Sequence, residues 1–192
     1  MADWVGNASF RNCNVRSQNA EPNDYYATEP RATELLLELE EFNHHIWEPA
    51  CGEGHISKVL EAHGYDVFSS DLIHRGYGTP YFDFLDWKHM DGDDDFDIIT
   101  NPPYKYAREF VEKALEVVGE GHKVAMFLKL TFLEGKARRN LFRENPPLRV
   151  YVASARLQCG KNGVFEGSSM AAYAWFIWQK GHQGPCELRW FN

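Results

Sequence analysis

Asn101, Pro102, Pro103 and Tyr104 bring together the groups needed to hold a planar amine. They follow an apolar run at 96–100, and an apolar run that ends abruptly in two prolines predicts a buried strand that stops at a rigid loop. The second proline keeps the first in an extended conformation. At such a loop, an amide oxygen and a backbone carbonyl could accept the two N–H protons of an amino group, and a ring could stack on its face. A strand-end turn with a surface tyrosine is the alternative, since proline marks turns in many proteins.

A glycine-containing turn is predicted about fifty residues earlier, within residues 46–60. Its apolar start predicts a strand, and the apolar spacing after Gly54 predicts a helix. Gly52 and Gly54 would let the backbone approach a ligand closely, and the helix N-terminus would favour an anion. An ordinary strand-to-helix turn is the alternative. Nicotinamide or flavin binding is disfavoured, because the residue three positions after Gly54 is serine.

A second apolar strand is predicted to end in Asp71, 23 residues after Glu48. This is about the spacing at which an acid reaches a ribose hydroxyl in dinucleotide-binding folds. Together, residues 48–54, Asp71 and residues 101–104 resemble the motifs of class I S-adenosylmethionine-dependent methyltransferases that modify amino groups. They are most similar to the adenine-N6 DNA methyltransferases. The resemblance covers roughly residues 24–180, and its most specific part is Asn-Pro-Pro-Tyr.

The resemblance implies S-adenosylmethionine as the cofactor, with residues 48–54 around its methionine end and Asp71 on its ribose. Asp83 is expected to bind the adenine amino group, and Phe84 to pack on the adenine ring. Residues 25–30 are similar to a segment that closes over the cofactor, although Glu29 interrupts the Thr-Pro pair found in the family. The cofactor-binding residues implied in this way are Tyr26, Thr28, Glu48, Ala50, Gly52, Gly54, Asp71, Leu72, Asp83, Phe84 and Asn101.

The resemblance also implies catalytic roles for Asn101, Pro102 and Tyr104. An exocyclic adenine amine is a poor nucleophile because its lone pair is delocalised into the ring. The Asn101 side-chain oxygen and the Pro102 carbonyl would accept its two protons, so that the lone pair points at the methyl group to be transferred. Tyr104 would stack on the target base, which must first be flipped out of duplex DNA. Positioning and fixed dipoles would provide most of the rate gain, and no strong general base is needed.

Composition restricts the class of protein. The 192 residues, 44% of them hydrophobic, are enough for one well-buried core and few for two. No apolar stretch is long enough to span a bilayer, and the N-terminus lacks the apolar region of a signal peptide. The four cysteines are far apart and form no Cys-x-x-Cys pair, which favours reduced thiols in a cytoplasmic protein. No His-x-x-x-His pattern occurs, so we expect no metal site.

The net charge of −8 is unusual for a protein that binds nucleic acid, but it is unevenly distributed. Residues 61–103 contain ten acidic and two basic residues, whereas residues 105–161 contain twelve basic and six acidic ones. The acidic run at 91–95 is expected to be a solvated loop. The basic residues follow strands whose carboxyl ends are the usual ligand side of a parallel sheet. They predict a nucleic-acid surface, with DNA favoured over RNA and a solvated helix face as the alternative, formed by Lys105, Arg108, Lys129, Lys136, Arg139 and Arg143.

Alternating strands and helices predict an α/β fold, a Rossmann-like, seven-stranded, mostly parallel sheet with helices on both faces. Strands are expected near 45–50, 66–71, 81–84, 96–100, 123–131, 149–154 and 170–179, and helices near 30–41, 54–63, 105–118 and 136–143. The resemblance implies that the last two strands form an antiparallel hairpin. Residues 1–23 are expected to be a mobile arm, and residues 24–192 a single catalytic domain. No residues are left for a separate target-recognition domain, which departs from the pattern of DNA methyltransferases.

Three alternative functions are compatible with the same residues. Asn-Pro-Pro-Tyr also occurs in enzymes that methylate adenine or guanine amines of ribosomal RNA, and in enzymes that methylate a glutamine amide of release factors. The glutamine enzymes carry a helical substrate domain before the catalytic core, and some 40 residues here are too few for one. The third alternative is a non-catalytic cofactor-binding subunit. Such subunits usually lose the Asn or the Pro of the motif, and both are present here.

Overall fold

The structure, a computed structural model, describes residues 25–88, 95–161, 163, 165 and 171–192. The predicted mobile arm at 1–23 and residues 91–94 of the acidic run lie outside these residues. The strands are β1 (Tyr26–Thr28), β2 (His45–Glu48), β3 (Asp66–Ser69), β4 (Asp97–Thr100), β5 (Lys123–Lys129), β6 (Arg149–Ala153), β7 (Cys159–Lys161), β8 (Tyr173–Gln179) and β9 (Glu187–Phe191). Seven of them form one mixed sheet in the order β3-β2-β4-β5-β8-β6-β9, and β1 pairs with β7 in a separate two-stranded sheet.

The parallel half of the large sheet positions the predicted site. Strand β2 pairs in parallel with β3 and with β4, and β4 pairs in parallel with β5. Strands β4 and β5 are buried along almost their whole length, as is usual for parallel strands that are covered on both faces. Because these strands share one direction, the loops after β2, β3, β4 and β5 converge at one edge of the sheet.

The antiparallel half follows the prediction only in part. Strand β8 lies antiparallel between β5 and β6, which confirms that the two late strands are antiparallel neighbours. The chain forms β7 between them, and continues beyond them to β9, which runs parallel to β6. Strand β9 was not predicted, since four of its five residues are exposed and no buried apolar pattern marks it.

Helices cover both faces of the large sheet, as predicted. They are α1 (Pro30–Leu39), α2 (His55–Ala62), α3 (Ala107–Val117) and α4 (Arg139–Glu144). Successive residues of β5 point to opposite faces. Val124 and Met126 pack in one apolar cluster with α3, whereas Ala125 and Phe127 pack in another with α1 and α2. None of the helices in the described residues is long and apolar enough to cross a membrane.

The predicted strand at 81–84 is wrong. Tyr81 has a φ of 60°, a left-handed conformation that a strand does not contain. Asp83 accepts the N–H of Leu85 at 3.0 Å through its own carboxylate, which closes a turn in place of a strand. This segment contacts the end of β3 through an isolated bridge between Ser70 and Thr79 and through a hydrogen bond from the Phe82 N–H to the Asp71 carbonyl at 3.0 Å.

The predicted helix at 136–143 is shorter than expected. Lys136–Arg138 form a 3-10 turn, and α4 begins only at Arg139. Gly135 has a φ of 111°, and the Arg138 guanidinium donates to the carbonyls of Phe132 and Glu134, which folds the chain back before the helix starts. Lys136 therefore does not share a regular helix face with Arg139 and Arg143.

Candidate active site

Asn101 lies directly after β4, at the edge of the sheet where the parallel strands end. Its side-chain N–H2 donates one hydrogen bond to the backbone carbonyl of Tyr26 at 2.7 Å and a longer one to the sulfur of Cys159 at 3.7 Å. Tyr26 belongs to β1 and Cys159 to β7, so the two-stranded sheet lies against the loop at residues 101–104. Within the described residues, neither the Asn101 Oδ1 nor the Pro102 carbonyl accepts a hydrogen bond.

Tyr104 is more enclosed than the sequence suggested. Its hydroxyl donates to the Cys159 sulfur at 3.2 Å, and its ring centre lies 5.4 Å from that of Tyr26 and 6.2 Å from that of Tyr173. The Lys129 ammonium lies 4.6 Å from the centre of the ring. Burial raises the pKa of the Tyr104 hydroxyl well above its usual value, so the group stays protonated. Tyr26, Tyr173 and Lys129 therefore surround the Tyr104 ring.

The predicted glycine turn connects β2 to α2 in a left-handed conformation. Gly52 and Gly54 have φ values of 56° and 78°, a region that favours glycine. A side chain at Gly52 would collide with the ring of Tyr25, and one at Gly54 with the ring of Tyr77. The Tyr25 hydroxyl accepts the N–H of Glu53 at 3.1 Å. The two tyrosines therefore form walls of the turn, a feature that sequence reasoning missed.

Asp71 follows β3 and faces this turn. Its carboxylate accepts the N–H of Gly52 at 2.8 Å through one oxygen and the N–H of Ile73 at 2.8 Å through the other. A carboxylate has about four acceptor positions, so both oxygens retain capacity for hydroxyl donors. Leu72, next to it, is 52% exposed and presents an apolar surface beside the acid. The combination fits a sugar with an attached aromatic ring.

Glu48 is buried and turned away from the turn's surface. Only 2% of the residue is exposed, and its carboxylate accepts both the backbone N–H of Ser57, at 2.8 Å, and the Ser57 hydroxyl. Burial raises the pKa of the Glu48 carboxyl to about 8, with a further rise from Asp71 and an opposing effect of the Ser57 hydrogen bonds. In this geometry the Glu48 carboxylate is not positioned to contact a cofactor. It instead holds the first turn of α2 through its hydrogen bonds with Ser57.

Phe84 also lies away from the predicted cofactor position. It is 2% exposed and packs at 5.0 Å from Trp47 and 5.1 Å from Phe110, ring centre to ring centre. Packing on a bound adenine ring is therefore excluded in this arrangement, because the hydrophobic core encloses the side chain. Asp83 is exposed and holds the Leu85 turn.

Tyr25 and strand β1 contact both the glycine turn and the loop at residues 101–104. Tyr25 contacts the turn through its hydroxyl, and the next residue, Tyr26, accepts the Asn101 amide through its carbonyl. Thr28 is 2% exposed, and its hydroxyl has no hydrogen-bond partner among the described residues. Ala50 is partly buried against the core. The structure thus brings Tyr26, the glycine turn and Asn101 close together.

The six predicted basic residues fall into different environments. Arg108 forms ion pairs with Glu109 and Glu112, and Arg143 forms one with Glu144 at 2.7 Å. Lys105 lies over the ring of Tyr106, and Lys129 lies at Tyr104. The side chains of two further residues are exposed and make no ion pair within the described part of the chain. They are Lys136 and Arg139.

Two other features bear on what the site could hold. No group of His, Cys, Asp or Glu side chains suitable for a metal ion occurs among the described residues. A cavity of about 720 Å³ lies near the amino ends of β2 and β3, lined mainly by Trp47, Phe68, Phe82, Trp87 and Phe96. None of the predicted site residues lines this cavity, so the cavity is distinct from the glycine turn and from the loop at residues 101–104.

Comparisons with solved structures identify the fold. A candidate class I S-adenosylmethionine-dependent methyltransferase from Listeria monocytogenes matches 84% of this chain with a TM-score of 0.56 and 15% identity. The modification subunit of a candidate type I restriction enzyme from Vibrio vulnificus matches 87%, with a TM-score of 0.61 and 15% identity. A candidate RNA methyltransferase from Pyrococcus horikoshii matches 78%, with a TM-score of 0.56 and 13% identity.

The fold is that of the class I methyltransferases. The chain spans 63% of the Listeria protein, 46% of the Vibrio subunit and 81% of the Pyrococcus protein. No protein-family model matches the chain, and no curated protein matches it significantly. At 13–15% identity the likeness extends to the fold, and the chemistry has to be argued from the site.

Proposed function

We propose that this protein is an S-adenosylmethionine-dependent methyltransferase that acts on the N6 amino group of adenine in DNA. The orientation of Asn101 carries the proposal. Its N–H2 group is held by the Tyr26 carbonyl and the Cys159 sulfur, and its Oδ1 has no partner within the described residues. An amide oxygen held in this way, beside the equally unpartnered Pro102 carbonyl, is an acceptor for a substrate amine.

Two acceptors at a rigid loop suit a planar amine with two N–H donors. When both N–H bonds point at Asn101 and Pro102, the nitrogen is favoured to become tetrahedral, and its lone pair leaves the plane of the base. Fixed acceptors cost no reorganisation as charge develops on the nitrogen, which is how such sites lower a barrier. Tyr104, with its neighbours Tyr26 and Lys129, would border the entering base.

The glycine turn, Asp71 and Leu72 are the residues that would hold the cofactor. Asp71 would accept the ribose hydroxyls, and Leu72 would cover one side of the adenine ring. The methionine end would enter beside Gly52 and Gly54, and the Tyr25 and Tyr77 rings that lie against these glycines would have to move aside. S-adenosylmethionine would supply a methyl group on a positively charged sulfur. Tyr25 and Tyr26 would close over the bound molecule, because they already link the turn to Asn101.

DNA is the proposed acceptor for two reasons. The first is the basic loop after β5, which comprises residues 130–139 up to the first residue of α4. The second is the Vibrio neighbour, a modification subunit of a candidate type I restriction enzyme. Lys136 and Arg139 are exposed cations without a carboxylate partner in the described residues, a state suited to phosphate. The Pyrococcus neighbour favours an RNA amine as the second candidate. A cytoplasmic location and a single catalytic domain at 24–192 complete the proposal.

The test is methyl transfer from tritiated S-adenosylmethionine to duplex DNA, single-stranded DNA, ribosomal RNA and protein, measured side by side. We expect label in DNA, released as N6-methyladenine after digestion. Asn101→Ala should abolish it, whereas Gln183→Ala, which removes an exposed amide in the loop after β8, should not. Label only in RNA would support the second candidate. No label in any acceptor, despite cofactor binding, would refute the enzymatic proposal.

A further inference from the structure

The Asn101 amide could in principle present either of two groups to a substrate. Rotation by half a turn exchanges the positions of Oδ1 and the N–H2 group, and an N–H2 facing a substrate amine would place donor against donor. A site that works through Oδ1 therefore needs partners that accept hydrogen bonds and so fix the other side of the amide.

The described structure contains two such partners, and they come from different strands. The Tyr26 carbonyl on β1 can only accept, and it takes one amide N–H at 2.7 Å. The Cys159 sulfur on β7 takes the second at 3.7 Å, and the same sulfur accepts the Tyr104 hydroxyl at 3.2 Å. The pairing of Thr28 with Cys159 sets the relative position of the two acceptors.

The sulfur atom has properties that fit this position. Burial raises the pKa of the Cys159 thiol, so it remains a neutral S–H group, although the hydrogen bonds with Tyr104, Tyr173 and Asn101 oppose the rise. Sulfur is large and polarisable, and it accepts weak hydrogen bonds over longer distances than oxygen does. One sulfur can thus contact both Asn101 and Tyr104, which lie three residues apart in the catalytic loop.

We propose that Cys159 is a positioning residue that, together with the Tyr26 carbonyl, orients Asn101 so that Oδ1 faces the substrate amine. The inference rests on the proposed amino-methylation. In this proposal the thiol acts through Asn101 and Tyr104 and not by contact with substrate or cofactor. The small β1–β7 sheet is then part of the catalytic apparatus, because its formation determines which side of the amide faces outward.

Three variants separate positioning from packing. Cys159→Ala removes the acceptor, Cys159→Ser retains one, and Cys186→Ala removes an exposed thiol elsewhere. We expect Cys159→Ala to lower kcat by about 10-fold or more, since small misplacements of reacting groups can cost up to about 100-fold. Its KM and cofactor Kd should stay within about twofold. Cys159→Ser should recover most of the loss, and Cys186→Ala should match the unmodified protein.

A measurement that needs no turnover accompanies the kinetics. The two side-chain N–H signals of Asn101, assigned by their disappearance in Asn101→Ala, should shift in the 15N–1H spectrum of Cys159→Ala and not in that of Cys186→Ala. Unshifted signals, an unchanged kcat in Cys159→Ala, or equal losses in Cys159→Ala and Cys159→Ser would each overturn the positioning role. Shifted signals in a protein that methylates no acceptor would instead confirm the contact and refute the proposed function.

Discussion

In the proposed mechanism the chemistry depends on Asn101, whose side-chain oxygen is oriented by contacts with other parts of the chain. Two acceptors hold its N–H2 group, and its own loop is stiffened by Pro102 and Pro103. Because the N–H2 side of the amide is held, its Oδ1 is left to accept a hydrogen bond from a donor. The catalytic power of the site is therefore expected to reside in orientation more than in acid–base chemistry.

The first prediction concerns this oxygen. Asn101→Ala should lower kcat by at least about 100-fold, similar to the loss of one hydrogen-bonding group from an oxyanion hole, while cofactor affinity changes by less than about twofold. Asn101→Asp should fail as well, because a carboxylate oxygen would then face the Tyr26 carbonyl. Steady-state kinetics and calorimetry give the two quantities, with Gln183→Ala as the control. A kcat close to that of the unmodified protein in Asn101→Ala would contradict the mechanism.

The second prediction concerns Glu48. Its folded-state pKa of about 8 lies above the value of about 4.3 expected in an unfolded chain. The folded state therefore holds an extra proton between these values, and this contribution to stability is complete at low pH and is lost as the pH rises towards 8. Glu48→Gln keeps a neutral side chain at every pH, so its free energy of unfolding should not show that decline.

Urea denaturation at pH 5, 6.5 and 8 measures the difference. Relative to Glu48→Gln, the unmodified protein should lose on the order of 1.4 kcal/mol for each pH unit within the window. Glu38→Gln, which changes an exposed carboxylate on α1, should follow the unmodified protein. Parallel pH dependences for the unmodified protein and Glu48→Gln would show that the buried carboxyl does not carry this proton.

At the residue level, the sequence could predict only the features that are encoded by residues adjacent in the chain. The Asn101 tetrapeptide and the Gly52 turn are local patterns, and the structure brings them to one edge of the sheet. Phe84 was assigned wrongly because its role depends on whether residues 81–84 form a strand. The turn closed by Asp83 directs that ring into the core, against Trp47 and Phe110.

At the level of elements, the two-stranded β1–β7 sheet is the part that sequence patterns could not show. Each strand has three residues, too few for a periodic pattern, and the partners are far apart in the chain. Residues 26–28 and 159–161 come together beside Asn101 only in the folded protein, so the sequence alone does not indicate that they pair. Cys159 was consequently treated as one of four dispersed thiols, although it contacts two of the catalytic-loop side chains.

The third prediction belongs to the basic loop after β5. Lys136→Glu with Arg139→Glu should weaken DNA binding and reduce the slope of log K against log salt by about one unit for each phosphate that the loop no longer neutralises. Cofactor binding should be unchanged. Fluorescence anisotropy with a labelled duplex between about 50 and 200 mM salt measures the slope. Arg138 is left intact, because its guanidinium holds the loop through the Phe132 carbonyl.

A charge-matched control is available on other surfaces. Arg31→Glu with Arg189→Glu changes the net charge by the same amount, at exposed residues of α1 and β9 that already pair with glutamates. If both double variants reduce the slope equally, the effect is one of net charge and the loop is not the phosphate surface. An unchanged slope in the first double variant would show that Lys136 and Arg139 do not contact the phosphates.

For the molecule as a whole, the alternation of strands with helices along the chain was sufficient to predict the layered architecture. In β5, Val124 and Met126 face α3, while Ala125 and Phe127 face α1 and α2, and this follows from the geometry of any strand buried on both faces. What the sequence could not predict is the order of strands at the far edge. Strand β9 is held by backbone pairing with β6, and exposed side chains carry little information about such pairing.

The last prediction concerns the folded molecule and its cofactor. A ligand that binds only the folded state stabilises it, by about 2.7 kcal/mol at 100 times the Kd. For a chain of this size that corresponds to a rise in melting temperature of about 5–10 °C with S-adenosylmethionine or its demethylated product. Asp71→Ala should weaken binding about 10-fold or more, because ribose hydroxyls would lose their acceptor. Calorimetry gives the Kd directly.

Asp71→Ala will also lower the melting temperature without ligand, since the N–H groups of Gly52 and Ile73 lose their acceptor. The informative quantity is therefore the ligand-induced shift and not the absolute temperature. Asp66→Ala, at the amino end of β3 where the carboxylate pairs with exposed His45, should leave that shift intact. An equal shift with NADH, or none with S-adenosylmethionine, would show that the glycine turn serves another ligand, because nicotinamide dinucleotides share the ribose and adenine but lack the methionine end.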